Sequence, residues 1–212
     1  MNKEKFSKAV KELIDVDAQR IKKRNFDQTV DLIINLKNFD VRRESFNTVI
    51  ILPHEIKNKK VAGFFEKSSK LLDTIKKEEF VKYKEKKDIK KLIATYDNFM
   101  ANAKLMPAIA TSFGRVLGPV GKMPSPQLGI IPSEDEALIK TVLKKFNVAV
   151  KVIVKEPSIK LSVGKASLGE EKITENLVVA INKILESLPK KTENIRNIKI
   201  KFTMSKPVTV GQ

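Results

Sequence analysis

The 212 residues carry 42 Lys and Arg against 25 Asp and Glu, a formal net charge of +17. Hydrophobic residues make up 42% of the chain, which is enough to build a core and excludes a disordered basic tail. The absence of cysteine excludes disulfides, thiolate metal sites and a cysteine nucleophile, and a single histidine, His54, leaves catalytic triads and metal sites without partners. A folded protein of this charge is predicted to bind a polyanion.

Apolar spacing near the amino terminus predicts a helix followed by two strands. Phe6, Val10 and Leu13 recur at the spacing of one helix face, and residues 30–36 alternate apolar with polar residues, as in a strand with one buried face. Residues 48–52 are a β-branched run, which predicts a strand buried on both faces. Lysines interrupt every apolar run well before the length of a membrane span, so we expect a cytoplasmic protein without a membrane partner.

Residues 57–91 are rich in lysine, with thirteen lysines against six acidic residues. Short apolar runs in this part of the chain alternate in type, which is typical of βαβ units and a mainly parallel sheet. The predicted elements are strands at 61–65, 80–83 and 96–101 and helices at 68–77 and 88–94.

A helix, a Gly/Pro-rich segment and a second helix are predicted next. The first helix covers residues 105–117, because Pro107 can lie in a first turn without losing a hydrogen bond. Residues 118–132 hold seven of the seventeen Gly and Pro residues and predict a loop. Ser133 and Glu136 have the spacing of a capping box, which predicts a helix from there to about residue 146.

The remaining sequence predicts strands around one long helix. Residues 148–154 and 159–163 alternate as strands, and Ser167 with Glu170 has the spacing of a second capping box, which opens a helix ended by Pro189. Residues 198–204 alternate again and place Met204 on the apolar face, and residues 207–210 predict a short final strand.

Neither end of the chain holds enough elements to close a core alone. We therefore predict a discontinuous α+β domain from residues 1–56 and 153–212, with an inserted three-layer α/β/α domain at residues 57–152. The chain would cross between the domains twice, and such a paired connection permits hinge motion.

No candidate catalytic or metal-binding motif in the sequence is complete. Residues 118–122, Gly-Pro-Val-Gly-Lys, suggest a phosphate-binding loop, but Val116 replaces the required glycine and Met123 the required Ser or Thr. Acidic residues 134–136 favour a helix amino terminus over a metal site. We therefore predict no catalytic residue, no metal and no cofactor. A nucleotide-dependent enzyme built on the inserted domain, and a general chaperone or DNA-compacting protein, remain the alternative hypotheses.

The composition indicates which kind of polyanion the chain binds. Aromatic residues make up only 6% of the chain, which argues against a stacking platform for single strands and favours structured RNA. Lys37 on the first strand, and Lys199 and Lys201 on the last, project with hydroxyl-bearing residues from polar strand faces, where they are suited to phosphate contact.

Four segments carry a resemblance to a known family: residues 25–31 (NFDQTVD), 114–126 (GRVLGPVGKMPSP), 162–167 (SVGKAS) and 202–205 (FTMS). In order and spacing they resemble the universal family of the first protein of the large ribosomal subunit, which forms the mobile side stalk near the tRNA exit site. The similarity spans nearly the whole chain, and the second segment is its most specific part. The Lys- and Ile-rich composition resembles archaeal members.

The resemblance implies a non-enzymatic ribosomal protein, monomeric when free, with a Rossmann-like inserted domain that lacks nucleotide chemistry. It implies binding to the stalk region of large-subunit ribosomal RNA and assistance in the release of deacylated tRNA from the exit site. It also implies binding to the protein's own mRNA and repression of its translation.

The resemblance also implies which residues contact RNA. Phe26 and Met204 would supply apolar contacts, with core packing as the alternative, and Thr29, Thr203 and Ser162 would hydrogen-bond to 2′-hydroxyls and phosphates. The predicted RNA-binding residues are Phe26, Thr29, Lys37, Ser162, Gly164, Lys165, Ser167, Lys199, Lys201, Thr203, Met204 and Ser205.

Two further points concern backbone geometry. Gly164 would let the RNA backbone approach closely. Where the family pattern has Met-Gly-Pro after the threonine, this chain has Met204, Ser205, Lys206 and Pro207, which leaves the turn geometry open and removes no hydrogen-bond donor.

Overall fold

The computed structural model describes residues 3–18, 25–83 and 86–210. Its helices are α1 (Lys3–Ala18), α2 (Val41–Glu44), α3 (Lys86–Thr95), α4 (Met106–Val120), α5 (Glu136–Val148) and α6 (Glu170–Ser187). Its strands are β1 (Thr29–Leu36), β2 (Asn47–Ile51), β3 (Val61–Phe64), β4 (Asp73–Ile75), β5 (Asn98–Asn102), β6 (Ile130–Ile131), β7 (Ala149–Ile153), β8 (Ser158–Lys165), β9 (Ile195–Phe202) and β10 (Val208–Val210).

The chain divides into two compact units. We call residues 1–57 and 148–212 the terminal unit and residues 58–147 the central unit. The second boundary lies at residue 148 rather than at the predicted 153, because β7 pairs with β2 inside the terminal unit.

The terminal unit is built on a four-stranded antiparallel sheet with the strand order β10-β9-β1-β8. Burial alternates along β1 as predicted, with Val30, Leu32, Ile34 and Leu36 buried. Helices α1 and α6 cover that apolar face and pack on each other. The predicted polar side of the strand is left on the opposite face of the sheet.

A buried amide fixes the middle of this unit. Asn176 of α6 is fully buried, and its Oδ1 accepts the backbone N–H of His54 at 3.0 Å. Its Nδ2 donates to the carbonyls of Val163 at 2.7 Å and His54 at 3.3 Å. Because a buried polar group without partners is costly, this bonding accounts for an asparagine inside an apolar helix face.

The central unit contains a parallel sheet with the strand order β4-β3-β5-β6 and apolar residues on both faces. Phe64 packs with Phe99 and Phe113 on the side of α3 and α4, and the next residue, Phe65, packs with Phe146 on the side of α5. Phe64 at the end of β3 and Phe65 directly after it therefore pack on opposite faces of the sheet.

Two predicted elements of the central unit are wrong. The segment predicted as a helix at 68–77 contains β4, whose Ile75 pairs with Phe64 of β3. The segment predicted as a strand at 80–83 lies in a 3₁₀-helix (Lys77–Tyr83). Its Phe80 packs edge-on against Phe113 with ring centroids 5.0 Å apart. In both segments contacts with residues distant in sequence determine the backbone conformation and outweigh the local spacing of apolar residues.

Three finer predictions also fail. β2 is buried on one face only, since Ile50 is buried whereas Ile51 is 57% exposed. Helix α5 begins at Glu136, so Ser133 lies outside it and donates to Asp135 Oδ2 instead of capping. Helix α6 begins after Gly169, whose positive φ of 83° suits glycine, and no side chain caps it.

Candidate nucleic-acid interface

Three of the four motif segments meet at one end of the terminal sheet. β1 is antiparallel to both β8 and β9, so the start of β1 lies beside the ends of the other two strands. Residues 25–29, 164–167 and 202–205 are therefore neighbours, and we call them the loop edge. The motif at residues 114–126 lies in the central unit.

The hydroxyls of Thr203 and Ser205 fix the turn after β9 by hydrogen bonds to backbone groups. The N–H of Thr29 donates to Thr203 Oγ1 at 3.2 Å, and the N–H of Thr203 donates to the Thr29 carbonyl at 3.0 Å. The N–H of Phe202 donates to Ser205 Oγ at 2.8 Å. Thr203 and Ser205 thus shape the turn, and the serine supplies a hydroxyl where the family pattern has glycine.

This turn corrects the prediction for Met204. β9 ends at Phe202, so Thr203 and Met204 lie in the turn and not on the last strand. Met204 is 52% exposed instead of lying on the apolar face, and Phe26, just before β1, is also 52% exposed. Core packing is therefore excluded as the role of these two side chains.

A carboxylate organises the other side of the loop edge. Asp27 accepts the hydroxyl of Ser167 at 2.7 Å and its backbone N–H at 3.1 Å, and Lys165 Nζ lies 3.6 Å from Asp27 Oδ2. Burial alone would raise the pKa of Asp27, but the Ser167 hydrogen bonds and the charge of Lys165 hold it below its usual value. Sequence reasoning missed Asp27, although it stands inside the first motif segment.

Gly164 is closely packed within the terminal unit. It is buried, and a β-carbon at this position would lie 2.7 Å from Leu168 Cδ1. β8 also has one extra residue opposite the step from Val30 to Asp31, so Val163 and Gly164 form an irregularity next to the loop edge. Such bulges commonly re-aim side chains beside functional sites.

The polar side of the terminal sheet continues from the loop edge, and we call it the open face. It consists of Thr29, Asp31, Ile33 and Asn35 of β1, Ser158, Lys160 and Ser162 of β8, and Asn197, Lys199 and Lys201 of β9. Lys201 and Ser162 both lie opposite Asp31, and Lys199 lies opposite Ile33. Lysines beside hydroxyls on one surface can neutralise and orient phosphates.

Lys37 is not part of this cluster. β1 ends at Leu36, and Lys37 follows it at the far end of the strand, where its N–H donates to the Asn194 carbonyl at 2.8 Å. A strand of this length separates it from Thr29 by about 25 Å. Lys37 therefore lies apart from the other predicted RNA-binding residues.

The lysine of the Gly-Pro-Val-Gly-Lys segment has a structural role. The segment begins inside α4, and Gly121, with a φ of 76°, caps the carboxyl end of that helix. Lys122 Nζ donates to the carbonyls of Ile93 and Tyr96, each at 2.7 Å, and so binds the carboxyl end of α3. Phosphate would have to compete with both bonds.

The carboxyl edge of the parallel sheet is occupied by the protein's own carboxylate. Open parallel sheets bind ligands outside the carboxyl ends of their strands. There Glu134 accepts the N–H groups of Glu66 and Lys67, each at 2.9 Å, and Asn102 Nδ2 at 2.8 Å. Burial would raise the pKa of Glu134, but these hydrogen bonds lower it overall. Glu134 thus precedes α5, where it joins the segment after β3 to Asn102, and does not lie in the first turn of the helix.

The residues that the structure describes hold neither a metal-binding cluster nor a membrane-spanning helix. Within residues 3–18, 25–83 and 86–210, no three His, Asp or Glu side chains are grouped to hold a metal ion. None of the helices in this described part is long and apolar enough to cross a membrane.

Comparison with known proteins decides the family. The model of the ribosomal protein L1p/L10e family matches residues 18–206. The chain belongs to this family. Membership confirms the resemblance seen in the motif segments and the prediction of a non-enzymatic protein.

Similar proteins of this family occur in archaea. The large ribosomal subunit protein uL1 of Nanoarchaeum equitans is 35% identical over 91% of this chain and 95% of its own length. The uL1 proteins of Thermococcus kodakarensis and Methanocaldococcus jannaschii are 32% and 31% identical over 99% of this chain and 98% and 96% of their own. These relatives agree with the predicted archaeal character.

Proposed function

We propose that the chain is a constituent of the large ribosomal subunit that binds ribosomal RNA at the mobile side stalk. The observation that carries this proposal is the convergence of residues 25–29, 164–167 and 202–205 at one end of a lysine-bearing sheet face. The uL1 names of the relatives support the large-subunit assignment. The site of action would be the cytoplasmic ribosome.

In this proposal the loop edge supplies shape-specific contacts and the open face supplies charge. Phe26 and Met204 would pack against ribose and backbone, because both expose apolar surface beside a polar sheet. Lys199 and Lys201 would neutralise phosphates. Thr203, Ser167 and Lys165 would hold the loops in the conformation that RNA recognises, since their polar groups bind within the protein.

Exposed apolar residues provide the sharpest test. Phe26→Ala and Met204→Ala should each weaken binding to an archaeal large-subunit stalk RNA fragment by about tenfold, as expected for an anchor residue at an interface. Ile51→Ala is the matched control, since Ile51 is 57% exposed but lies on β2 outside the loop edge and the open face. Equal effects of all three variants would contradict the proposed site.

Two finer activities belong to the same proposal. We propose that movement of the stalk-bound protein assists release of deacylated tRNA, and that the free monomer represses translation of its own mRNA through the same surface. Adding the protein to a cell-free translation reaction should then reduce synthesis from its own mRNA, and Met204→Ala should relieve the repression. Repression that is insensitive to this substitution would separate it from the RNA site.

The architecture would serve this role through a hinge. We propose that the terminal unit is the RNA-binding domain and the central unit an inserted Rossmann-like domain without nucleotide chemistry, joined by the two chain crossings. The occupied carboxyl edge at Glu134 and the bonded Lys122 support the absence of a nucleotide site. ATP, GTP and NAD should therefore produce no thermal shift, whereas a ligand at 100 times its Kd would add about 2.7 kcal/mol.

A further inference from the structure

One acidic side chain stands among the lysines of the open face. Asp31 lies on β1, the strand between β8 and β9, and the strand register places it opposite Ser162 on one side and Lys201 on the other. Directly opposed residues have Cβ atoms about 4.5–5.5 Å apart. Ser162, Asp31 and Lys201 therefore form one row across the sheet, next to the loop edge.

The carboxylate of Asp31 is weakly paired within the described part of the protein. It is partly buried, and burial raises its pKa above the ordinary value, although the charge of Lys201 offsets part of that rise. Among residues 3–18, 25–83 and 86–210 no hydrogen bond or close ion pair to this carboxylate is found. Asp27 and Glu134, by contrast, each accept several hydrogen bonds.

The chemistry of a carboxylate limits what can approach this row. A phosphate would meet a like charge, whereas an N–H or O–H group could donate to Asp31 and form a charge-assisted hydrogen bond. RNA carries such donors in its ribose hydroxyls and base amino groups. Lys201 and Ser162 beside the carboxylate can contact a neighbouring phosphate. One nucleotide can therefore contact all three side chains of the row.

Resting on the proposed RNA-binding function, we propose that Asp31 is a specificity-determining residue whose carboxylate accepts a hydrogen bond from a ribose hydroxyl or base amino group. The same carboxylate repels nucleic acids that bring only phosphates to the row. Asp31 thus lowers the affinity for unrelated duplexes while it strengthens binding to the RNA that presents the donor, which is discrimination by an unfavourable as well as a favourable contact.

The test compares two variants that each remove one negative charge. Asp31→Asn changes the row, and Glu171→Gln changes an exposed side chain in the first turn of α6, which packs on the opposite face of the sheet. Kd is measured for an archaeal large-subunit stalk RNA fragment and for an unrelated RNA duplex of equal length. We expect Asp31→Asn to lower the ratio of the two affinities about tenfold and Glu171→Gln to leave it unchanged.

Substituted RNAs identify the donor. One set of stalk fragments carries single 2′-deoxynucleotides, and a second carries single bases that lack an exocyclic amino group. One substitution should weaken binding of the unmodified protein more than that of Asp31→Asn, because the asparagine oxygen accepts only a neutral, weaker hydrogen bond. The set that contains this substitution tells ribose from base. If no position behaves in this way, or if both variants change the affinity ratio equally, the inference is overturned. Unmodified protein that binds both RNAs equally would instead overturn the proposed function itself.

Discussion

Three hydrogen bonds join Thr29 and Thr203: the Thr29 N–H donates to Thr203 Oγ1 at 3.2 Å, and the Thr203 N–H and hydroxyl donate to the Thr29 carbonyl at 3.0 Å and 3.3 Å. The start of β1 is thereby fixed to the turn that presents Met204. The hydroxyl that sequence reasoning assigned to RNA is thus bonded within the protein, so its effect on RNA would pass through the position of the turn.

Thr203→Ala and Thr203→Ser separate these roles. The alanine variant loses the hydroxyl contact, and we expect it to lower the free energy of unfolding by about 1 kcal/mol and to weaken stalk-RNA binding about tenfold because the turn loses its anchor. The serine variant keeps the hydroxyl and should resemble the unmodified protein. Urea unfolding and equilibrium binding measure both effects, and an alanine variant with unchanged affinity would show that the turn needs no such anchor.

Ser167→Ala tests the electrostatics of the loop edge. Asp27 has a lowered pKa in the folded protein, so its stabilising contribution is present above the ordinary value of about 3.9 and is lost as the pH falls through the lowered value. Removing the hydroxyl should raise the pKa of Asp27 and destabilise the protein by up to about 1 kcal/mol at pH 7.

Carboxyl NMR titration and unfolding at neutral and acidic pH measure this change. The stability difference between Ser167→Ala and the unmodified protein should shrink as the pH falls. An unchanged pKa of Asp27 would mean that the hydroxyl does not stabilise the carboxylate.

Asp31→Asn has the opposite dependence of stability on pH. Because burial raises the pKa of Asp31, its favourable contribution is full below about 3.9 and is lost as the pH rises through the raised value. The amide variant should therefore have the higher Tm at pH 7.5, by a few degrees at most, and the two proteins should converge in acid. A lower Tm for the variant at pH 7.5 would show that the charged carboxylate is stabilised in the free protein.

Lys122→Met tests whether the most specific motif is structural. Losing both bonds to the Ile93 and Tyr96 carbonyls should lower the stability of the protein by about 1–3 kcal/mol and leave RNA affinity unchanged. Lys140→Met, which removes an exposed charge from α5, should have little effect on stability. A Lys122→Met protein of normal stability but reduced RNA affinity would assign Lys122 to an RNA site instead.

The sequence predicted best where one face of an element is buried. The alternation of burial along β1 and the first-turn position of Pro107 in α4 were both predicted from the sequence, because each depends on local backbone geometry. The β4 segment was not, since Ile75 becomes part of a strand only by pairing with Phe64, a partner that local spacing does not reveal. Non-local pairing was also needed to place Ser167 against Asp27.

Non-local pairing also limits what the sequence can predict about the loop edge. Three of the four motif segments meet at one end of the terminal sheet through the antiparallel register of β1 with β8 and β9. The roles of single residues were less predictable. Met204 continued the apolar alternation in sequence, yet β9 ends two residues earlier and leaves it exposed in a turn.

The most direct test of the proposed function is equilibrium binding to an archaeal large-subunit stalk RNA fragment at two salt concentrations, with duplex RNA and duplex DNA of equal length as competitors. Affinity should fall with salt at a logarithmic slope of roughly 0.7–0.9 per neutralised phosphate. We predict that preference for the stalk fragment persists at the higher salt, because the loop edge recognises shape beyond charge. Equal binding to all three nucleic acids, lost together as salt rises, would contradict the proposal and leave only a basic surface.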